Sequence, residues 1–370
     1  MKVSEMVKSR NLPDFLDREK MIDMLLKNEY GYMPDLEYEI SVSDPVSVTK
    51  RYCNSTVEQS YVNMTVTTKY GSHTFPIYRM LHTDGTVNPF FIYLGFNSSI
   101  PSRSYPAEEV ADGNFDVLMI NYKEVASDNG DFTNGIPSIF IPEGRKNDTD
   151  CGKIMYWAWA AMRVMDYALT LPQLDHSQAA VLGHSRLGKT ALLTGVLDER
   201  FRYVFSNDSG GSGAALARGN SGLADFTDWN PDDPFNFEHN FKTGETIRDI
   251  LKEFPYWFCG NYQKWLENNY PDDFDQHFLI ASVAPRYAYV ASGSTDLWAD
   301  PVSEFLSAVA GSAYYEKMGL TGLVHQEKLP EPDERFHEGK VGYHLRKGPH
   351  FLSRHDWNNY MAYIRKHQFD

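Results

Sequence analysis

The segment AAVLGHSRLGKTALLTG, residues 179–195, contains a serine and a lysine in a setting that two different chemistries use. Gly183 to Thr190 match the pattern G-x-x-x-x-G-K-[ST], in which a glycine-rich loop and a lysine bind phosphate. The same segment places Ser185 on a tight turn between an apolar run and a helical pattern, as in a nucleophile elbow. Two candidates follow: phosphate binding by Lys189, or attack on a carbonyl carbon by Ser185.

The nucleotide interpretation also requires an acidic residue for magnesium at the end of a neighbouring strand, and Asp208 in YVFSND is a candidate. A phosphate-binding loop usually opens its domain, whereas this one lies in the middle of the chain. Its turn consists of residues with large side chains, His184 to Leu187, rather than glycines that expose backbone N–H groups. The pattern therefore disfavours nucleotide binding.

The nucleophile elbow needs a base, because a serine hydroxyl is a weak nucleophile, and the base needs a carboxylate to orient it. In α/β-hydrolases the chain order is serine, acid, histidine. His350, in the Gly-Pro-His turn of RKGPHFLSRHDW, is the favoured base, with His344 and His355 as alternatives. We therefore expect Ser185 and His350 to meet at one edge of a sheet.

Two acids compete for the third position. Asp296, in ASGSTDLWADP, follows a predicted strand at the place where α/β-hydrolases usually carry the acid. Asp208, in SNDSGGSG, ends the strand after the one that carries Ser185. Asp296 is favoured and Asp208 is the alternative. Arg186 follows the nucleophile directly, so that its guanidinium is a candidate to stabilise an oxyanion together with backbone N–H groups.

The elements around these residues alternate between buried strands and helices. Apolar runs at NPFFIYLGFN, FDVLMINY, AAVLGHS, YVFSND and RYAYVASG predict strands, and helical patterns follow at 153–171, 186–197 and 302–319. Residues 61–81 alternate around a Gly-Ser turn and predict a hairpin. We expect a three-layer α/β sandwich with a mostly parallel sheet and an antiparallel N-terminal edge. One domain, 1–370, would carry an N-terminal helical extension, 1–35, and an inserted loop, 219–241.

Composition excludes several classes of partner. The chain has 370 residues, of which 42% are hydrophobic, and a net charge of −15, which argues against nucleic acid. Its three cysteines are far apart, so that a cysteine-based zinc site or disulfide framework is not expected. No apolar run reaches membrane-spanning length, and the N-terminus has no apolar signal core. The expected location is the cytoplasm, or outside the cell after removal of a signal.

Several spaced blocks resemble the bacterial glucuronoyl esterases, carbohydrate esterase family fifteen. Across residues 80–365 they are GHSRLGKTAL, NDSGGSGAAL, GETI, FPYWFCGNY, SGSTDLWADP and KGPHFLSRHDWNNY. The resemblance implies a serine α/β-hydrolase without a metal or other cofactor, which cleaves the ester between 4-O-methyl-glucuronic acid on xylan and lignin alcohols. Glucuronoxylan or its oligosaccharide esters would be the partner, no membrane would be bound, and the protein would be a monomer.

The resemblance also assigns roles to individual residues. It implies Ser185 as nucleophile, Arg186 as oxyanion partner and His350 as base. It also implies hydrogen bonds from Lys189 to sugar hydroxyls, and contacts to the uronate from Glu245 and Trp298. The family places its acid at either of two positions, which match Asp208 and Asp296. At the first position the family typically has glutamate, and the shorter aspartate here favours Asp296. An acetyl or feruloyl xylan esterase with the same triad, and a sugar-binding protein without catalysis, are the alternative functions.

Overall fold

The computed structural model of the chain describes residues 1–49, 54, 56–219 and 244–370. Its strands in this part of the chain are β1 (Tyr38–Val42), β2 (Val46–Thr49), β3 (Val57–Thr68), β4 (Gly71–His82), β5 (Asn88–Gly95), β6 (Asp116–Asn121), β7 (Leu174–His184), β8 (Tyr203–Asn207), β9 (Tyr287–Gly293), β10 (Arg335–Phe336) and β11 (Val341–Arg346). Its α-helices are α1 (Val3–Ser9), α2 (Arg18–Leu25), α3 (Ala107–Asp112), α4 (Tyr122–Val125), α5 (Gly135–Phe140), α6 (Lys153–Ala168), α7 (Arg186–Leu197), α8 (Ile247–Glu253), α9 (His277–Val283), α10 (Pro301–Lys317) and α11 (Arg354–His367).

The strands form one sheet in the order β1-β3-β4-β6-β5-β7-β8-β9-β11-β10, and β2 pairs with β3. From β6 to β11 along this order all neighbours are parallel. The N-terminal strands β1 to β4 pair antiparallel, as predicted, and β4 joins them to β6. Because the carboxyl ends of β7, β8, β9 and β11 lie at one edge, the loops that follow them meet there.

Each face of the sheet is covered by helices, which confirms the predicted three-layer α/β sandwich. Along β5, Phe90 and Ile92 belong to one core, while Phe91 and Tyr93 belong to the other, because successive side chains of a strand point to opposite faces. The first core includes residues of α6, α7, α9 and α10. The second includes residues of α3 and α11, among them the buried Trp357.

Element boundaries differ from the sequence-based expectation in a few places. The helix expected at the N-terminus begins at Arg18, continues into a π-helical turn, Leu26–Tyr30, and is preceded by the unexpected α1. The predicted hairpin turns at Lys69 and Tyr70 rather than at Gly-Ser, because Thr68 pairs with Gly71. The short strands β10 and β11 were not predicted. The expected inserted loop 219–241 lies, except for Gly219, outside the described residues. Over the described ranges, no helix combines the length and apolarity that crossing a bilayer requires.

Candidate active site

Ser185 lies on a strained turn between β7, which ends at His184, and α7, which begins at Arg186. Its backbone has φ 58° and ψ −130°, in the left-handed region that side-chain-bearing residues rarely adopt. The turn is tight, because a Cβ at Gly183 would lie 1.9 Å from the carbonyl oxygen of Leu187. The Ser185 N–H donates to the Asn207 carbonyl at the end of β8, at 2.8 Å. This is the geometry of the predicted nucleophile elbow.

His350 lies in the loop between β11 and α11, and Asp296 lies in the turn after β9. The Nδ1 atom of His350 is 2.6 Å from the Oδ2 atom of Asp296. The aspartate side chain is only 3% exposed, whereas the histidine side chain is 40% exposed. Because an ionised carboxylate only accepts hydrogen bonds, the proton of the neutral imidazole is placed on Nδ1, and Nε2 is left to act as a base.

Asp208, the alternative acid, makes a different set of contacts. Its Oδ1 atom accepts from the Gly293 N–H at 2.5 Å, and its Oδ2 atom accepts from the Phe351 N–H at 3.2 Å and from Arg346 at 3.3 Å. Burial raises the pKa of Asp208, as does the charge of Asp296, while the nearby cations act in the opposite direction. The acid that hydrogen-bonds to His350 is therefore Asp296, and Asp208 contacts the backbone of the loops beside it.

The charges around His350 shift its pKa upwards. Desolvation lowers the pKa, but the charge of Asp296 and its hydrogen bond outweigh this effect, with further contributions from Asp208 and Glu245. The neighbouring ring of His184, whose centroid is 4.5 Å away, has the opposite shift: burial and the proximity of His350 hold its pKa well below the ordinary value. A neutral His184 adjoins a more basic His350.

The two alternative histidines are placed away from this pair. His344 is buried in β11, where Nε2 bonds to Asp356 at 2.8 Å and Nδ1 bonds to the Tyr289 hydroxyl at 2.9 Å. His355 is exposed in the first turn of α11. Neither lines the cavity that contains Ser185 and His350.

Arg186 is held by an acidic residue that the sequence did not single out. Its Nη1 atom contacts the carboxylate of Asp128, and the guanidinium carbon lies 4.7 Å from the centre of the Trp257 ring. Trp257 and Tyr122 also donate to Asp128, at 2.7 and 2.8 Å. Within the part of the chain that the structure describes, the Nε atom of Arg186 has no hydrogen-bond partner. The ion pair and the ring contact thus fix the guanidinium in place, and its Nε atom is buried.

Lys189, Glu245 and Trp298 form a chain of contacts. The buried Nζ atom of Lys189 donates to the carbonyls of Ser209 and Gly211, both at 2.5 Å, and to Glu245 at 3.2 Å. The indole N–H of Trp298 donates to the other oxygen of the Glu245 carboxylate. Desolvation raises the pKa of Glu245. Three oxygen acceptors already surround the lysine, which does not fit the phosphate-binding interpretation.

One cavity of about 670 Å³ is lined by all the site residues predicted from the sequence except the alternative bases His344 and His355. These eight residues are Ser185, Arg186, Lys189, Asp208, Glu245, Asp296, Trp298 and His350. Part of the cavity wall was not predicted from the sequence: it is formed by the stacked rings of Phe254 and Trp257, whose centres are 3.9 Å apart. Both rings belong to FPYWFCGNY, which was noted for its family resemblance but given no role. The aromatic residues of that block were the feature of the sequence from which this part of the cavity wall could have been predicted. Leu297 and the charged Lys252 and Glu253 also line the cavity.

One group of side chains in the described ranges has the spacing of metal ligands. Nitrogen or oxygen atoms of His184, Asp208 and His350 lie within 4.8 Å of one another. Each side chain has other partners, however: His184 Nδ1 bonds to Asn207 at 2.6 Å, His350 bonds to Asp296, and Asp208 accepts from N–H groups. The group is explained by these contacts and supports no metal assignment.

Comparison with known proteins gives matches over most of the chain. The family described as glucuronyl esterase, fungi, matches residues 65–319. Carbohydrate esterase MZ0003, from an unknown prokaryotic organism, is 39% identical over 216 residues, which make up 58% of this chain and 44% of that protein. The 4-O-methyl-glucuronoyl methylesterase of Podospora anserina is 27% identical over 312 residues, which make up 83% of this chain and 57% of that protein. The chain therefore spans about half of the length of these curated relatives.

A solved structure resembles the whole arrangement. A promiscuous CE15 esterase from the marine bacterial metagenome superimposes with a TM-score of 0.80 at 28% identity, over 95% of this chain and 91% of that one. The likeness thus extends over most of the chain.

Proposed function

The chain belongs to the glucuronyl esterase family, and we propose that it hydrolyses esters of 4-O-methyl-glucuronic acid by a serine mechanism. The observation that carries the proposal is the 2.6 Å contact between His350 and Asp296 in a cavity that Ser185 also lines. The names of the relatives support the substrate class, since one of them is a 4-O-methyl-glucuronoyl methylesterase. On this proposal the ester joins the uronate of glucuronoxylan, or of its oligosaccharides, to an alcohol.

In the first step, His350 removes the proton of the Ser185 hydroxyl through Nε2 while the oxygen attacks the ester carbonyl. Asp296 keeps the imidazole in the required tautomer and stabilises the imidazolium that forms. The resulting oxyanion is held by the guanidinium of Arg186 and by backbone N–H groups at the start of α7. The position of Arg186 supports this role, because it lines the same cavity as Ser185 and follows it directly in the chain.

Collapse of the intermediate transfers the proton from His350 to the leaving alcohol and leaves the uronoyl group on Ser185. Water then attacks the acyl-enzyme with His350 as base, and the uronic acid leaves. The steps use a serine, a histidine and a carboxylate in the roles that define this class of hydrolase.

The sugar ring is proposed to lie against Glu245 and Trp298, which line the cavity beside the triad. Lys189 has its three N–H groups engaged, so its contribution is to hold Glu245 and the carbonyls of the adjacent loop. For Lys189 to donate to a sugar hydroxyl, one of these three hydrogen bonds must first break. On this proposal Lys189 acts on the uronate by fixing the position of the Glu245 carboxylate.

The test is hydrolysis of a benzyl ester of glucuronic acid, beside 4-nitrophenyl acetate and acetylated xylan. We expect Ser185→Ala to lower kcat by at least about 10³-fold with an unchanged circular dichroism spectrum. Ser177→Ala is the matched control, because Ser177 is an exposed serine of the same strand, β7. If the wild-type protein hydrolyses acetyl esters only, the triad acts on acetylated xylan and not on glucuronate esters. An active Ser185→Ala variant would refute the serine mechanism.

A further inference from the structure

The loop that carries His350, residues 347–353, has no regular secondary structure, yet its position decides whether the base reaches Ser185. Its backbone is held from one side by Arg346, the last residue of β11, whose side chain is only 7% exposed. One guanidinium nitrogen, Nη2, donates to the carbonyls of Pro349 and Phe351, both at 2.7 Å. These two carbonyls lie immediately before and after His350 in the sequence.

Asp208 binds the same loop and a second one. Its Oδ2 atom accepts from the Phe351 N–H at 3.2 Å and from Arg346 at 3.3 Å, and its Oδ1 atom accepts from the Gly293 N–H at 2.5 Å. Gly293 ends β9 and opens the turn that carries Asp296. A single carboxylate therefore joins the loop of the base to the turn of the acid.

We propose that Arg346 and Asp208 are a positioning pair, which fixes the loop of His350 against the turn of Asp296 so that the base meets its acid and the nucleophile. The proposal rests on the proposed esterase function. It changes the role of Asp208, which the sequence analysis considered only as an alternative acid. Neither residue is assigned a bond to the substrate or to a reacting atom.

The chemistry of the two side chains suits this role. A guanidinium presents several N–H donors in a fixed plane, so that Arg346 bonds to the carbonyls of Lys347, Pro349 and Phe351 and also to two carboxylates. Its Nε atom donates to Asp356 of α11 at 3.2 Å, which connects the loop to the helix that follows it. Lysine has one charged nitrogen on a flexible chain and cannot replace these bonds in the same geometry.

Asp208 lies at the junction with the nucleophile as well. It follows Asn207, whose carbonyl accepts from the Ser185 N–H at 2.8 Å. The Asp208 N–H donates to the Ala291 carbonyl of β9 at 2.7 Å. The three loops that present Ser185, Asp296 and His350 therefore all connect to the backbone or side chain of residues 207 and 208. A displacement of about 1 Å between reacting groups costs about 10²-fold in rate, which gives the expected size of the effect.

The pair also contributes charge near the base. Four titratable side chains from other elements lie near His350, namely Asp296, Asp208, Glu245 and His184, and Arg346 bonds to the carbonyl of the preceding residue, Pro349. Among them, Asp208 is one of three carboxylates whose charge raises the pKa of His350. Removal of that charge should therefore move the acid limb of the pH–rate profile to lower pH.

The experiment compares Arg346→Met, Arg346→Lys and Asp208→Asn with the wild-type protein. The substrate for this comparison is 4-nitrophenyl acetate, which needs the triad but no uronate contact, and a fluorophosphonate titrates the reactive serine. Arg286→Met is the matched control, because Arg286 also donates to three backbone carbonyls outside the cavity. They belong to Gly195 of α7 and to Asp198 and Phe201 in the segment that follows this helix. The lysine variant keeps the test valid if the methionine variant does not fold.

We expect kcat per titrated serine to fall about 10²-fold in Arg346→Met and about tenfold in Arg346→Lys and Asp208→Asn, with KM within about twofold. The acid limb should move to lower pH in Asp208→Asn, and Arg286→Met should keep the wild-type kcat. Loss of titratable sites with an unchanged kcat per site would overturn the proposal, since that result indicates a purely structural role. Failure of the wild type on the glucuronate ester, with these effects intact on 4-nitrophenyl acetate, would refute only the proposed substrate.

Discussion

Replacement of Asp296 by asparagine tests the assignment of the acid most directly. The carboxylate oxygen lies 2.6 Å from Nδ1 of His350, and an ionised carboxylate can only accept a hydrogen bond. An asparagine amide can instead donate through its NH₂ group, which favours the tautomer with the proton on Nε2. In that tautomer Nε2 cannot accept the proton of Ser185. The variant should therefore keep its structure and lose its base.

The burial of Asp296 sets the size of this effect. Its side chain is only 3% exposed, so that solvent screens its interaction with the imidazolium weakly. The loss of this kind of carboxylate in a serine hydrolase lowers kcat by about 10⁴-fold, which corresponds to about 5.5 kcal/mol of transition-state stabilisation. Asp208 cannot replace it, since its oxygens already accept from the N–H groups of Gly293 and Phe351.

The assay is the pH dependence of kcat and kcat/KM for the benzyl ester of glucuronic acid, in Asp296→Asn beside Asp208→Asn. Asp300→Asn serves as the control, because Asp300 caps α10 a few residues further on and does not line the cavity. We expect a loss of 10³- to 10⁴-fold in Asp296→Asn and about tenfold in Asp208→Asn. If Asp208→Asn shows the larger loss, the 2.6 Å contact is not the catalytic one and Asp208, rather than Asp296, is the acid.

Three further predictions concern the surroundings of the triad. Gly183→Ala should lower the free energy of unfolding by about 3 kcal/mol in urea titrations, because the added Cβ would lie 1.9 Å from a backbone carbonyl oxygen. Gly130→Ala is the control and should have little effect, since there is open space around Gly130. Trp298→Phe removes a donor to Glu245 and should raise KM for the glucuronate ester about fivefold, with 4-nitrophenyl acetate hydrolysis unchanged. Burial raises the pKa of Glu304 from 4.5 to about 8, so the folded state binds a proton more tightly than the unfolded state. Stability should therefore fall as pH rises from about 5 to 8, and Glu304→Gln should make that decline shallower.

Most of the central sheet was predictable from the sequence, because its strands are buried on both faces. Runs such as Phe90 to Leu94 contain only apolar residues, and each run ends at a glycine or a polar residue. The strand β11 was missed, since VGYHLR mixes apolar residues with His344 and Arg346. These polar side chains are buried there because Asp356 and Asp208 provide partners from other elements. Such partners cannot be identified from the strand alone.

The sequence favoured Asp296 by its place in the chain, but it could not show which of the two carboxylates bonds to the base. Asp208 follows β8 and Asp296 follows β9, and these strands are parallel neighbours in the sheet. Both carboxylates must therefore lie at the same edge, close to any base that arrives there. What separates them is the direction of each side chain, and this depends on contacts with Gly293 and Phe351 from loops far apart in the chain. Asp128, which holds Arg186, was missed for the same reason.

The resemblance of residues 183–190 to a phosphate-binding loop has a structural explanation. Both a phosphate-binding loop and a nucleophile elbow connect a buried strand to a helix, and both need glycine where the turn approaches the helix. Here Gly183 meets the backbone of Leu187, and a Cβ at Gly188 would lie 3.0 Å from the side chain of Ser209. Lys189 follows on the inner side of α7, where it bonds to carbonyl oxygens and Glu245 rather than facing open space. The acceptors of the lysine therefore distinguish the two kinds of site. A phosphate-binding lysine must keep its N–H donors available for the ligand, whereas Lys189 uses its three N–H donors to hold the wall of the cavity.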